Sequence, residues 1–552
     1  MPPPPPTARG GEDVVEVGVE ANGDAMTNET APETRGEPTE NGYRYDSSLV
    51  YDRAADVEAS SARPNQANAS AGATKPTGTR ALAPDLLRGL LMMLMALDHT
   101  AMALHAWPHG TNRDSESDGS PVWRFNSATA YLVRTLTHLC GAGFTFLLGM
   151  GVVYLGRSRS RLGWSPLRLL RYFAVRAAVL TVVTVVFGFA FTAGQVWFLN
   201  IVLFALAVDY FLAGLLWLAF DRTEGLLAEQ LTRMMKRSGD PTAGEGEVRP
   251  LLEHRHAGEA SAANRAASLS WHIHNAVLLA LSVVTILWNI WLSENHGHCE
   301  ASSSTLTTWM QRRTAGAAAS VPQNPFARIW FWPVMGGRVV SGFPPMAWLS
   351  FAILGLLYGR IVVARTWNPR TLAAGQAIAG LLFAVVFVLT RVLRFGNLSE
   401  GCLQTPEHEK HPDTNPYLVS PASFFYIVKY PPDLAFWAMT MAGNLLLLAL
   451  FGAVPVRIAK RFTMLLDFGT TALFFYIAHL LLVFLLARIL VGLFGHDTGV
   501  ADPMNPDNSR GIDNLFAYFG TWALAMLILW PICRLYSRFK SGKPADSIWR
   551  FF

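Results

Sequence analysis

The chain has 552 residues, 51% of them hydrophobic and only 15% charged, with a mean hydropathy of +0.26. Soluble proteins of this size carry nearer a quarter charged residues, so a water-soluble globular fold is excluded and a polytopic all-α membrane protein remains. The net charge of +5 is no nucleic-acid signature: the basic residues gather at the ends of apolar runs, where membrane orientation accounts for them.

Residues 1–80 are rich in Pro, Ala, Gly, Thr, Glu and Asn and poor in large apolar groups, and are expected to be a disordered cytosolic tail. No apolar core of the signal-peptide kind precedes Ala81, so the first span itself is expected to direct insertion. That span, Ala81 to Trp107, carries Asp85, Arg88, Asp98, His99 and His105. Charges at membrane depth cost a few kcal/mol each and mark partners or water-filled cavities. Arg88 and His99, eleven residues apart, fall on one face of a helix, separated by about 16 Å along its axis.

A second run, 127–155, contains Arg134 and His138 one turn apart. Arg157, Arg159, Arg161, Arg168 and Arg171 follow without an acid, which predicts a cytosolic connection. Further spans are expected near 169–193, 196–220, 271–293, 345–363, 372–393, 434–454, 469–494 and 515–535. The count is about ten, with both termini in the cytosol and every short cytosolic connection basic. Residues 81–543 thus form the membrane domain, 221–270 reads as a flexible cytosolic insertion, and 544–552 as a cytosolic tail. No inverted repeat is visible, which weakens a transporter reading.

Two features probe this topology. Asn397-Leu-Ser399 is a glycosylation sequon in a connection that the count places outside or in a lumen. Cys299 and Cys402 also fall in outward connections, so that either a disulfide in an oxidising lumen or two separate thiols fits. The His254/His256 pair lacks companions, and no metal is expected.

At about 1.5 Å per residue, His99 and His138 lie at similar depth in the outer half of the bilayer. With Arg134 they could share a cavity. A neutral His suits a general base, taking the proton from an acceptor hydroxyl or amine. Asp98 lies about 100° around the helix from His99, and whether it orients the ring is open. Arg88, Arg171 and Arg176 lie toward the cytosolic side and suit the phosphates of an acyl-CoA co-substrate; for Arg171 a membrane anchor explains the residue equally well. Asp209 and His479 are further intramembrane polar groups, candidates with Arg134 for substrate contact or as partners of the arginines.

The motif of Arg88, ten residues and His99 resembles the membrane acyltransferase-3 superfamily. Asp85-Leu-Leu-Arg-Gly with Leu97-Asp-His99 is more similar to the catalytic domain of the heparan-alpha-glucosaminide N-acetyltransferases. Later phrases agree in order: Leu136-Thr-His138-Leu-Cys-Gly, Phe343-Pro-Pro-Met-Ala-Trp348, Lys429-Tyr-Pro-Pro432 and Phe474-Phe-Tyr-Ile-Ala-His479. The resemblance implies transfer of an acyl group, commonly acetyl from acetyl-CoA, to a carbohydrate-like hydroxyl or amine, with Arg88 and His99 tied to activity. It also implies a reactive His in the connection after the first span, where His105 and His109 stand amid poorly matching residues, so His99 and His109 both remain candidates. A permease for a polar or anionic solute and a non-catalytic scaffold are the other readings. The host membrane would belong to the secretory pathway, a vacuole or lysosome, or the cell surface; the oligomeric state is left open.

Overall fold

A computed structural model describes residues 82–113, 116–238, 251–294, 297, 299, 322, 324–501, 508–543, 547 and 549. The tail 1–80, residues 239–250 of the expected insertion and most of 544–552 lie outside them.

Among the described residues ten helices are long and apolar enough to cross a membrane: α1 Leu82–Ala103, α2 Ala128–Arg161, α3 Pro166–Phe191, α4 Leu203–Ser238, α5 Leu251–Leu292, α6 Pro345–Ala364, α7 Pro369–Val392, α8 Leu434–Ala453, α9 Ala472–Phe494 and α10 Leu515–Ser541. The chain is a multi-pass membrane protein, and all ten expected spans are present. Helices are the natural solution because they satisfy every backbone polar group within one segment. Their starts follow local chemistry. Ser127, Ser165, Asn368, Asp433 and Asn514 accept from the first free backbone N–H groups, and Pro166, Pro345 and Pro369 open their helices.

The stretch 221–270 departs from expectation. Where described it is helix, continuing α4 to Ser238 and starting α5 at Leu251. Polar groups tie the two extensions together. Thr223 lies 3.0 Å from His274, Ser270 donates to the Glu224 carbonyl at 2.8 Å, and Arg360 of α6 pairs with Glu224 at 2.5 Å. The polarity that reads as a loop is a hydrogen-bonded helix junction.

Two pairs of glycines set the closest helix approaches. A Cβ on Gly149 of α2 would lie 2.0 Å from the Ala352 carbonyl oxygen of α6, and one on Gly355 of α6 would lie 1.9 Å from that of Phe146. Gly89 of α1 and Gly469 of the short helix Thr463–Thr470 repeat the arrangement, at 1.9 Å from Leu465 O and 2.0 Å from Asp85 O. Small residues at such crossings let backbones touch without a side chain between them. Against α1, α10 donates from Tyr518 to Leu97 O and from Trp522 to Met93 O, at 3.0 and 3.1 Å.

Beyond one end of the bundle the longer connections join each other. β1 (Phe198–Asn200) runs parallel to β3 (Val339–Ser341), which pairs antiparallel with β2 (Val334–Gly336). Single bridges link Ser117 to Tyr430 and Val122 to Leu403. Cys299 and Cys402 form a disulfide, settling the choice left open by the sequence. Cys140 and Cys533 are buried free thiols.

Candidate functional site

The site forms where this cap meets α1, α2 and α9. Arg134 of α2 is its hub, with its side chain 2% exposed. One nitrogen donates to Asp98 of α1 at 2.8 Å, and two others to Glu116 at 2.8 and 3.0 Å. Glu116 comes from the connection 104–127, folded inward so that its side chain also accepts from Thr111 N and its carbonyl from Lys429 N and Tyr430 N. Burial alone would raise the Glu116 carboxyl; Arg134 and His138 outweigh it and hold the group well below the usual carboxylate range. A guanidinium shared by two buried carboxylates leaves excess negative charge, and the Lys429 ammonium, projecting nearby, offsets it.

His138, one turn from Arg134, is fully buried behind this network. Its Nε2 lies 3.1 Å from Glu116 Oε1, outside hydrogen-bond geometry, and its ring meets Phe436 edge-on. It does not share the cavity with His99, contrary to expectation: the inward-folded Glu116 occupies the space before it.

Of His99 and His138, His99 is the one that reaches the cavity, beside His105 and His109, and its surroundings assign its protons. His479 Nδ1 lies 3.0 Å from the Phe475 carbonyl, an acceptor only, so that nitrogen carries the hydrogen. In the neutral ring His479 Nε2 is then an acceptor. His99 Nδ1, 2.8 Å away, must donate to it. The neutral His99 ring therefore leaves Nε2 unprotonated; His99 lines the cavity, and no hydrogen bond to this Nε2 is made among the described residues. Tautomers are inferred from hydrogen-bond partners in this way. The two rings are nearly parallel, at 12°, and meet edge to edge through this bond, with centroids 5.1 Å apart.

The cavity measures about 540 Å³. Asp98, His99, His109, Lys429 and Tyr430 form its polar end, and the remainder is mostly apolar. Lys429 Nζ lies 5.2 Å from the Phe343 ring centre and 5.3 Å from that of Tyr430, with no carboxylate paired to it among the described residues. His109 faces Asp98 at 3.8 Å. Partial loss of water and the nearby Arg134 lower its pKa despite the opposing pull of Asp98, although the ring stays more than a third exposed.

The remaining candidates lie elsewhere. Arg88 is held by Asp85 at 3.0 Å and the Gly469 carbonyl at 3.3 Å, toward the opposite end of α1. Arg171 is exposed, and Arg176 stacks on Tyr210 at 4.7 Å. None of the three lines the cavity. Asp209 is buried with neither oxygen hydrogen-bonded among the described residues. Asn397 is 6% exposed and donates from its amide nitrogen to Thr390 O; the sequon's asparagine is turned inward, which a glycan on that nitrogen could not accommodate. Glu116 and Lys429 are the participants that sequence reading missed, since both lie in connections whose fold no helical periodicity reports. The Lys429-Tyr-Pro-Pro432 phrase was the available signal for one of them.

Neither a protein-family model nor a curated protein sequence matches the chain.

Proposed function

We propose that the chain is a membrane acyltransferase that moves an acyl group from a coenzyme A thioester to a hydroxyl or amine acceptor. The observation that carries this reading is the chain of contacts from the Phe475 carbonyl through His479 to His99 beside a largely apolar cavity, which leaves the His99 Nε2 as the unprotonated nitrogen. As the acceptor attacks the thioester carbonyl, His99 Nε2 takes its proton. The carbonyl oxygen gains negative charge opposite the Lys429 ammonium, which stabilises it. Collapse breaks the carbon–sulfur bond, forms the ester or amide, and returns the proton from His99 to the leaving thiolate. His479 is a positioning residue: it fixes the His99 tautomer and accepts from the imidazolium once formed.

Asp98, locked by Arg134, adds negative potential at the same end of the cavity. Arg88, Arg171 and Arg176 take no part in these steps; their distance from the cavity favours roles in holding helices and in orientation. The basic connections Arg157–Arg171, Arg365–Arg370 and Arg457–Arg461 favour a cytosolic position for their end of the bundle. The cavity and the disulfide then lie on the lumenal or outer side, in an oxidising compartment. A membrane of the secretory pathway, a vacuole or lysosome, or the cell surface fits this reading.

The test is transfer from radiolabelled acyl-CoA by the purified, reconstituted protein, offered a mixture of sugar, amine and alcohol acceptors. His99→Ala should lower turnover by about 10²–10⁴-fold at unchanged expression, and His479→Gln by less. Undiminished turnover in His99→Ala sinks the mechanism, and CoA-independent solute uptake would instead establish a permease.

A further inference from the structure

Deepening that reading, we infer that the cavity seats a linear hydrocarbon chain, so that the substrate is a long-chain acyl thioester or a lipid-tailed acceptor. Beyond its polar end the cavity runs along Met95, Phe144, Phe191, Leu199, Val202 and Phe484. None of these side chains can pair with a hydroxyl. Thr137, Gln195 and Tyr476 also line the cavity but are too few to serve every hydroxyl of a sugar ring, which would strand most of its polar groups there. An acetyl group would leave most of the about 540 Å³ unfilled. A flexible Met beside aromatic and branched walls suits a chain of variable conformation.

The shape of the bundle supports the same occupant. α3 and α9 flank the apolar part, yet their backbones do not pack closely. Phe191 meets Phe484 edge-on at 4.9 Å, closing the gap with two side chains. Outside this contact Val186, Phe189, Leu481 and Leu485 are all more than half exposed, the surface of helices that face lipid. Parting two rings would connect the cavity to the acyl layer, with the head of the substrate at His99 and Lys429 and the tail between α3 and α9.

Photo-crosslinking of the full chain in lipid nanodiscs tests the seat separately from catalysis. One arm uses a diazirine-tagged hexadecanoyl-CoA, the other a diazirine-tagged alkyl glycoside. Labelling of Met95, Phe144, Phe191 or Phe484 is expected in at least one arm, and the arm that labels identifies the source of the chain. Val202→Trp, and Met95→Phe as a milder filling change, should each cut that labelling by about tenfold while leaving elution and melting as in the unaltered protein. A folded Met95→Phe protein with full labelling overturns the proposal, as does labelling confined to outward residues such as Leu485. Transfer of acetyl as fast and at as low a KM as hexadecanoyl, with no preference for a lipid-tailed over a tail-less acceptor, overturns it too. Seat labelling without transfer from any donor would keep the seat and remove the acyltransferase reading.

Discussion

At the residue scale, the site is organised by one guanidinium. Arg134 holds two carboxylates inside a membrane protein, and removing it strands both. Arg134→Met should destabilise the protein by about 3–5 kcal/mol, read as a loss of melting temperature in detergent. Adding Glu116→Gln should recover part of the loss, because one stranded charge is then gone. His109 supplies a pH dependence. Its folded pKa lies below the 6.5 of the unperturbed ring, so between the two the open chain binds a proton that the folded chain refuses. Stability should fall as pH drops through this window and level out below it. His109→Asn should therefore flatten the loss of melting temperature between about pH 7 and pH 5; an unchanged slope would show that another group sets it. His99, Arg134 and His138 were legible in the sequence because charge inside an apolar run stands out and helical spacing gives relative depth. The choice between His99 and His138 was not, since it depends on Glu116, which reaches the site by a loop path.

At the scale of elements, the ten spans were readable from length and hydropathy, and their bounds moved by a few residues except around 221–270. There Leu226, Leu227, Ala228 and Met234 carry helix-forming capacity that the surrounding charges obscure in a hydropathy reading. Helix contacts were less legible: a glycine in an apolar run does not reveal which backbone it meets. Gly355→Ala would force a methyl to 1.9 Å from the Phe146 carbonyl oxygen, whereas Gly151 of the same helix as its partner faces open space. Gly355→Ala should cost about 1–3 kcal/mol or more, and Gly151→Ala should leave melting unchanged or slightly raise it. Asp209 is the opposite case, a buried carboxylate without hydrogen-bond partners among the described residues. Asp209→Leu should stabilise the bundle by about 1–3 kcal/mol; a loss instead would point to a role for the acid in the working protein.

At the scale of the whole molecule, connections far apart in sequence cooperate to build one end of the cavity. Asn289 of α5 donates to the carbonyls of Ala347 and Pro432 at 3.0 and 2.9 Å, steadying the turn that delivers Lys429. The Cys299–Cys402 disulfide ties two further connections together. Maleimide labelling of the denatured chain should count two thiols before reduction and four after, and the reduced protein should melt earlier. Deglycosylating enzyme should leave electrophoretic mobility unchanged, because Asn397 is turned inward. The sequon and the cysteines were equally visible as motifs, yet only coordinates show which of those side chains faces water.

Gly149 and Gly355 carry a consequence for motion. Two backbones touching at both positions behave as a single post, with no room to slide. Whatever swings aside to admit a tail must hang from the far jamb, and α3, closed on α9 by a pair of phenyl rings, is the leaf of that door. A covalent staple between α3 and α9 at Phe191 and Phe484 should jam it, while one joining α2 to α6 should pass unnoticed.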